Sequence, residues 1–184
     1  MPAQTPAKSD LPAIHVGIGD CCLSLHPAMF ATVLGSCVSV TFHHPARLVG
    51  GMFHAMLPTH TTAKHHQRPC LFADFAVTTM LERFRVHGIK PRELVVKLFG
   101  GGNTMQNNQP VALREMLDVG RKNVDYARAA LAEYGLQPVS EDVLGAQGRK
   151  LFFSSATGEV WLRYLSDELT RAVAAKERLS KGAQ

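Results

Sequence analysis

The sequence predicts a single layered α/β domain in which mostly antiparallel strands form the sheet and two main helices pack on one face. Three observations lead there. Short β-rich runs separated by Gly, Ser and Pro outnumber the helical stretches, and two segments with apolar residues at helical spacing each stop at a glycine. A chain of 184 residues with 46% hydrophobic and 19% charged residues can bury one good core but not two.

Residues 1–13, MPAQTPAKSDLPA, lack an apolar stretch behind their lysine and read as a disordered lead rather than a secretory signal, which makes the cytoplasm the default location. The domain proper is expected over 14–165. AIHVGIGDCCLSL alternates weakly and suits one opening strand, and MFATVLG, CVSVTFHH and LVGGMFHAML follow as strands divided by a Gly-Ser turn and by HPAR. In the second of these, Cys37, Ser39 and Thr41 share one face while Val38, Val40 and Phe42 share the other. Phe72, Phe75, Ala76, Met80 and Phe84 recur at helical spacing ahead of Gly88, which predicts a helix over 72–87. ELVVKLFGGGN is a near-continuous apolar strand that runs into three glycines. Val124, Ala127, Leu131 and Tyr134 predict a second helix over 120–134, stopped by Gly135. KLFFSSATGEVWLRYL reads as a hairpin, and residues 166–184 as a polar tail, a fraying helix with Ser166 as N-cap.

Composition excludes some functions. No apolar run approaches the roughly 20 residues of a membrane span. The net charge of +5 comes from scattered Lys and Arg, so nucleic-acid binding is not expected, and an anionic protein partner suits such a surface. Cys21, Cys22, Cys37 and Cys70 are too sparse for a disulfide scaffold and are expected as thiols, with Cys21 and Cys22 simply filling a strand.

Chemistry concentrates around VLGSCVSV. Two antiparallel strands joined by HPAR bring Cys37 toward His54, with Gly50 and Gly51 allowing close backbone approach. An imidazole there can take the thiol proton and return one to a leaving amine, which is acyl-transfer chemistry. Backbone N–H groups at Gly35 and Ser36 are candidates for stabilising an oxyanion. Spacing alone leaves an inert buried thiol as the alternative. His60, His65, His66 and Cys70 invite a zinc reading, but without a paired-cysteine motif a solvated loop is the better one. FGGGN, residues 99–103, lacks the lysine ending of a phosphate loop. Asp74, Asn123 and Arg149 read as structural hydrogen-bonding residues.

The stretch TVLGSCVSVTFHHPARLVGGMFHAMLP, followed in order by ADFAVTTML, KLFGGGNTM, VGRKNVDYARAAL and EDVLGAQGRKLFF with GEVWLRYL, resembles the CheD family of chemoreceptor glutamine deamidases. The resemblance spans about residues 14–165. It implies Cys37 as nucleophile, His54 as base and Thr32 as the residue that orients the histidine, although Thr32 also suits an ordinary strand position. It further implies glutamines of methyl-accepting chemotaxis receptors as substrates, hydrolysis of glutamyl methyl esters as an admissible second activity, no cofactor and no metal, and a CheC-type phosphatase as a partner. A receptor- or CheC-docking module with an idle site is the competing expectation.

Overall fold

The strand Val38–His44 (β4) is buried along its whole length, which a strand in a half-exposed sheet cannot be. The computed structural model, described here for residues 10–59, 68–103 and 118–182, shows why: the domain has three layers, and β4 lies in the middle one.

The middle layer is a five-stranded sheet ordered β2-β5-β4-β6-β7, from Cys21–Ser24 (β2), Val49–Phe53 (β5), β4, Val95–Gly100 (β6) and Ser140–Val143 (β7). The helices Ala73–Val86 (α1) and Val119–Glu133 (α2) cover one face, where Val38, Val40, Phe42 and Phe53 meet Met80, Phe84, Val124 and Leu131 in the largest cluster of buried residues. A four-stranded sheet covers the other face, ordered β1-β3-β8-β9, from Ala13–His15 (β1), Met29–Leu34 (β3), Arg149–Ser154 (β8) and Val160–Tyr164 (β9). Met52 of β5 reaches Phe30 and Phe153 across the gap between the sheets. Of the seven strand pairings among the described residues, β1 with β3 and β6 with β7 run parallel and the other five run antiparallel.

The expected α/β layering, the two helices on one face and both hairpins are present. The opening strand is not one strand. GIGD turns the chain between β1 and β2, which belong to different sheets. Phe75 and Tyr134, expected on buried stripes, are 41% and 40% exposed, because each helix presents a narrower stripe to the sheet. The cysteines are not all thiols: Cys21 on β2 and Cys70, in a 3-10 turn before α1, form a disulfide across a sequence separation of 49. Folding brings the start of α1 against β2, a proximity that linear spacing does not reveal. That pairing also removes Cys70 from the zinc reading of its loop; His60, His65 and His66 lie outside the described residues. Finally, Asp167–Gly182 forms a helix (α3) in which the Ser166 hydroxyl accepts from Leu169 N–H at 3.4 Å. Expected to fray, it instead buries Thr170, Ala174 and Glu177.

Candidate active site

Alternation along the middle strands decides which side chains meet between the sheets. On β4, Ser39, Thr41 and His43 face away from the helices, as the contact of the His43 ring with Phe153 of β8 shows, and Cys37 continues that row. On β5 the even-numbered positions face the same way: Met52 packs on Phe30 and Phe153, and a Cβ on Gly50 would come within 2.6 Å of Ser155 Cβ. His54 continues this second row. The bridge between Val38 and Ala55 extends the hairpin register, so Cys37 and His54 become diagonal neighbours on one face. Opposite them, β3 buries Phe30, Thr32 and Leu34 in alternation, which sends the Thr32 hydroxyl into the same gap.

The three sequence-predicted residues therefore converge, all nearly inaccessible: Cys37 is 0%, Thr32 1% and His54 3% exposed. Thr32 Oγ1 lies 2.7 Å from the Val16 carbonyl oxygen and 2.9 Å from His54 Nδ1. A hydroxyl has one proton, and Val16 can only accept it, so His54 Nδ1 must be the protonated nitrogen and donate to Thr32. That leaves Nε2 bare, and it has no hydrogen-bond partner among the described residues. Burial pulls His54 down to about 4, against the carboxylate of Glu177, which raises it. The resting imidazole is neutral and able to accept a proton.

The turn before Cys37 is held by its carbonyls. Gly101 N–H donates to the Cys37 carbonyl at 2.7 Å, Gly102 N–H to Gly35 at 2.8 Å, and the Asn123 side chain to Ser36 at 3.0 Å. Gly100, at φ 110°, must be glycine, because a Cβ there would overlap the Cys37 carbonyl oxygen. The three-glycine passage is thus a backbone clamp on the turn that carries Cys37. With the carbonyls drawn to one side, the N–H groups of Gly35 and Ser36 emerge on the other. Both donate to Glu177 of α3, at 2.9 and 3.1 Å, and the Ser36 hydroxyl donates to it at 2.8 Å.

Two residues are more important here than the sequence suggested. Asn123 also donates to the Met56 carbonyl at 3.0 Å, so one side chain ties the turn before Cys37 to the segment after His54. Its signal was a polar residue on the apolar stripe of a helix. Glu177 lies in a stretch of alternating charge that reads as solvated, and nothing local marks it. By contrast, Asp74 and Arg149 keep structural roles. Asp74 accepts from Thr59 at 2.6 Å, and buried Arg149 donates to the carbonyls of Gly100 and Asp142 at 2.9 and 2.6 Å.

Although no metal ligands were expected, a sulfur of Cys37, a ring nitrogen of His54 and a carboxylate oxygen of Glu177 lie within 4.8 Å of one another, a set able to hold a divalent ion. The donors from Gly35 and Ser36 already engage both oxygens of that carboxylate. A thiol beside a bare imidazole nitrogen, next to two convergent backbone N–H groups, has the parts needed for acyl transfer.

Residues 56–164 match the family model described as CheD chemotactic sensory transduction. The chain is 52% identical over 166 residues to the probable chemoreceptor glutamine deamidase CheD of Nitratidesulfovibrio vulgaris, covering 90% of this chain and 83% of that protein. It is 40% identical over 176 residues to the protein of the same description from Oleidesulfovibrio alaskensis, covering 95% and 83%. Against that of Thermococcus kodakarensis it is 34% identical over 155 residues, covering 84% and 94%. Among solved structures, Bacillus licheniformis hypothetical protein YfiH aligns with a TM-score of 0.45 and 15% identity over 69% of this chain and 51% of that one, too distant to bear on function.

Proposed function

The chain belongs to the CheD family, and we propose that it hydrolyses side-chain amides of specific glutamines in methyl-accepting chemotaxis receptors to glutamate, with Cys37 as nucleophile and His54 as base. The observation that carries this reading is the fixed tautomer of His54: Thr32 accepts a hydrogen bond from Nδ1–H and so leaves Nε2 as the one basic nitrogen, in a site where a ring nitrogen is within 4.8 Å of the Cys37 sulfur. In the reaction, His54 takes the thiol proton and sulfur attacks the amide carbon. The oxyanion is received by the N–H groups of Gly35 and Ser36. Breaking the C–N bond returns the proton to nitrogen, so ammonia leaves and a thioester remains. Water, deprotonated by His54, then displaces the thiol and yields the carboxylate. A glutamyl methyl ester would form the same thioester with methanol as leaving group.

No helix among the described residues is long and apolar enough to cross a membrane. A cytoplasmic protein acting on the cytoplasmic part of receptors, with a CheC-type phosphatase as a further partner, fits this reading. The test is intact-mass spectrometry of a receptor cytoplasmic fragment after incubation with wild type or Cys37→Ala. Deamidation adds about 1 Da per converted glutamine, and the reading requires that gain with wild type only. Equal masses from both proteins on the organism's own receptors would sink it.

A further inference from the structure

The two N–H groups best placed to receive an oxyanion are not open to substrate. They are filled by a carboxylate of the chain itself, and Glu177 is a residue whose side chain is chemically identical to the product of glutamine deamidation. We propose that α3 is an intramolecular occupant of the substrate seat, with Glu177 bound as a product-like group, so that a receptor glutamine enters only when α3 swings away. The inference rests on the deamidase reading and deepens it by naming how the site is closed.

Three features distinguish this from ordinary packing of a terminal helix. First, Glu177 is 2% exposed, and none of the ion pairs among the described residues includes it. Its burial is offset by Gly35 N–H, Ser36 N–H and the Ser36 hydroxyl, donors whose turn is clamped from behind by Gly101, Gly102 and Asn123. Second, the inner side of α3 does not form solid core. Val173, Lys176 and Ser180 line, with Val16, Thr32 and His54, a cavity of about 400 Å³. Third, among the described residues α3 has no extensive packing against any other helix or strand, unlike α1 and α2. It is pinned at points, including Thr170 Oγ1, which accepts from Gly148 N–H at 3.1 Å. A helix attached through a few contacts over an open cavity can leave without dismantling the sheets.

The same geometry describes the substrate's form. Val173, Lys176, Glu177 and Ser180 fall at helical spacing on one face, so the seat accepts an acidic or amide side chain carried on a helix, with its neighbours one turn away over the cavity. A glutamine presented as Glu177 is presented would place its amide on the oxyanion donors beside Cys37. Docked α3 also sets a negative charge next to the sulfur, which opposes formation of a thiolate.

The proposal is tested on the full chain with two variants. Glu177→Lys sets a cation against two N–H donors and should release α3; alkylation of Cys37 by iodoacetamide, followed by peptide mapping to separate it from Cys22, should then run at least about tenfold faster than in wild type. A thermal melt confirms that the variant is folded. Glu177→Gln converts the occupant into substrate. Its amide should be hydrolysed in place, with water consumed and ammonia released, so the Asp-N peptide starting at Asp167 gains about 1 Da, and the gain should vanish when Cys37→Ala is added. Unchanged alkylation in a folded Glu177→Lys protein overturns the proposal and leaves the deamidase reading intact. A stable amide in Glu177→Gln, in a protein that does deamidate the receptor fragment, overturns the product-like role of Glu177. A stable amide together with no change in the receptor defeats the deamidase reading, and this inference with it.

Discussion

Replacing Thr32 by valine removes a single hydroxyl from a site where shape is conserved, and its consequences can be worked from two distances. The hydroxyl donates to Val16 at 2.7 Å and accepts from His54 Nδ1 at 2.9 Å, and both partners are buried. Thr32→Val therefore leaves one carbonyl and one ring N–H unpaired in the space between the sheets. At about 1–3 kcal/mol for each buried group left unsatisfied, the expected loss of stability is about 2–6 kcal/mol, of which only the ring's share can be relieved by the imidazole changing tautomer. On the deamidase reading, relief by a change of tautomer costs activity, because a proton moved to Nε2 removes the one unpaired basic nitrogen of the ring. A correctly held general base is worth about 10²–10⁴ in rate, and partial loss of its orientation should lower kcat by about 10–100-fold with little change in KM. Nitrogen NMR of the His54 ring reports the tautomer directly, and deamidation of a receptor fragment reports kcat. Thr32→Ser, which keeps the hydroxyl, should restore both. If Thr32→Val keeps wild-type kcat and the Nδ1–H tautomer, Thr32 is an ordinary strand residue and the argument from its single proton is wrong.

Asn123→Leu, which fits the apolar surroundings but frees the carbonyls of Ser36 and Met56, should cost about 2–4 kcal/mol in urea unfolding and slow deamidation by at least about tenfold; a variant as fast as wild type would mean that the turn keeps its form without it. His54, held at about 4 by burial, stays neutral in the folded chain where the unfolded chain already binds a proton near 6.5, so its contribution to stability is complete above pH 6.5 and falls away as the pH drops toward 4, by about 3 kcal/mol in all. His54→Gln should lose that part of the acid slope, and parallel curves for the two proteins would refute the assignment. Reducing the Cys21–Cys70 bond should destabilise the fold by up to about 4 kcal/mol on the chain-entropy argument for its 49-residue separation, read as a lower melting temperature in reductant that Cys70→Ser reproduces; identical melting with and without reductant contradicts it.

The parts of the fold that were legible in the sequence are those set by local pattern. The HPAR turn and the alternation of Val38, Val40 and Phe42 are enough to define the β4–β5 hairpin, and glycines at the ends of α1 and α2 mark their limits within one or two residues. What escaped local reading depends on distant partners. Nothing in MFATVL says that β3 pairs with β8, over a hundred residues later, and so nothing announces a second sheet. Yet that second sheet explains why the Cys37 face of β4, polar in sequence with Ser39 and Thr41, is fully buried. The cysteines fail for the same reason: Cys21 and Cys70 meet only because α1 packs on β2.

The site divides along the same line. Cys37 and His54 were accessible because they share a hairpin, where register follows from the turn, whereas Thr32 stands on another sheet and was reached through family resemblance. A sequence clue to it did exist: between Phe30 and Leu34, the buried row of β3 carries one hydroxyl where every other member is apolar, and such a group needs a polar partner. Glu177 offered no comparable clue. Set between Lys176 and Arg178, it has the pattern of a solvated helix, and it becomes a buried anion only because the turn at Gly35 and Ser36, far away in sequence, points two N–H groups at it. A charged residue on a polar helix is unremarkable until the donors that receive it are known, and those donors are recognisable only after the carbonyls of the same turn are traced to Gly101, Gly102 and Asn123. This pair of N–H donors is thus a property of three separate chain segments, and the carboxylate that fills it belongs to a fourth.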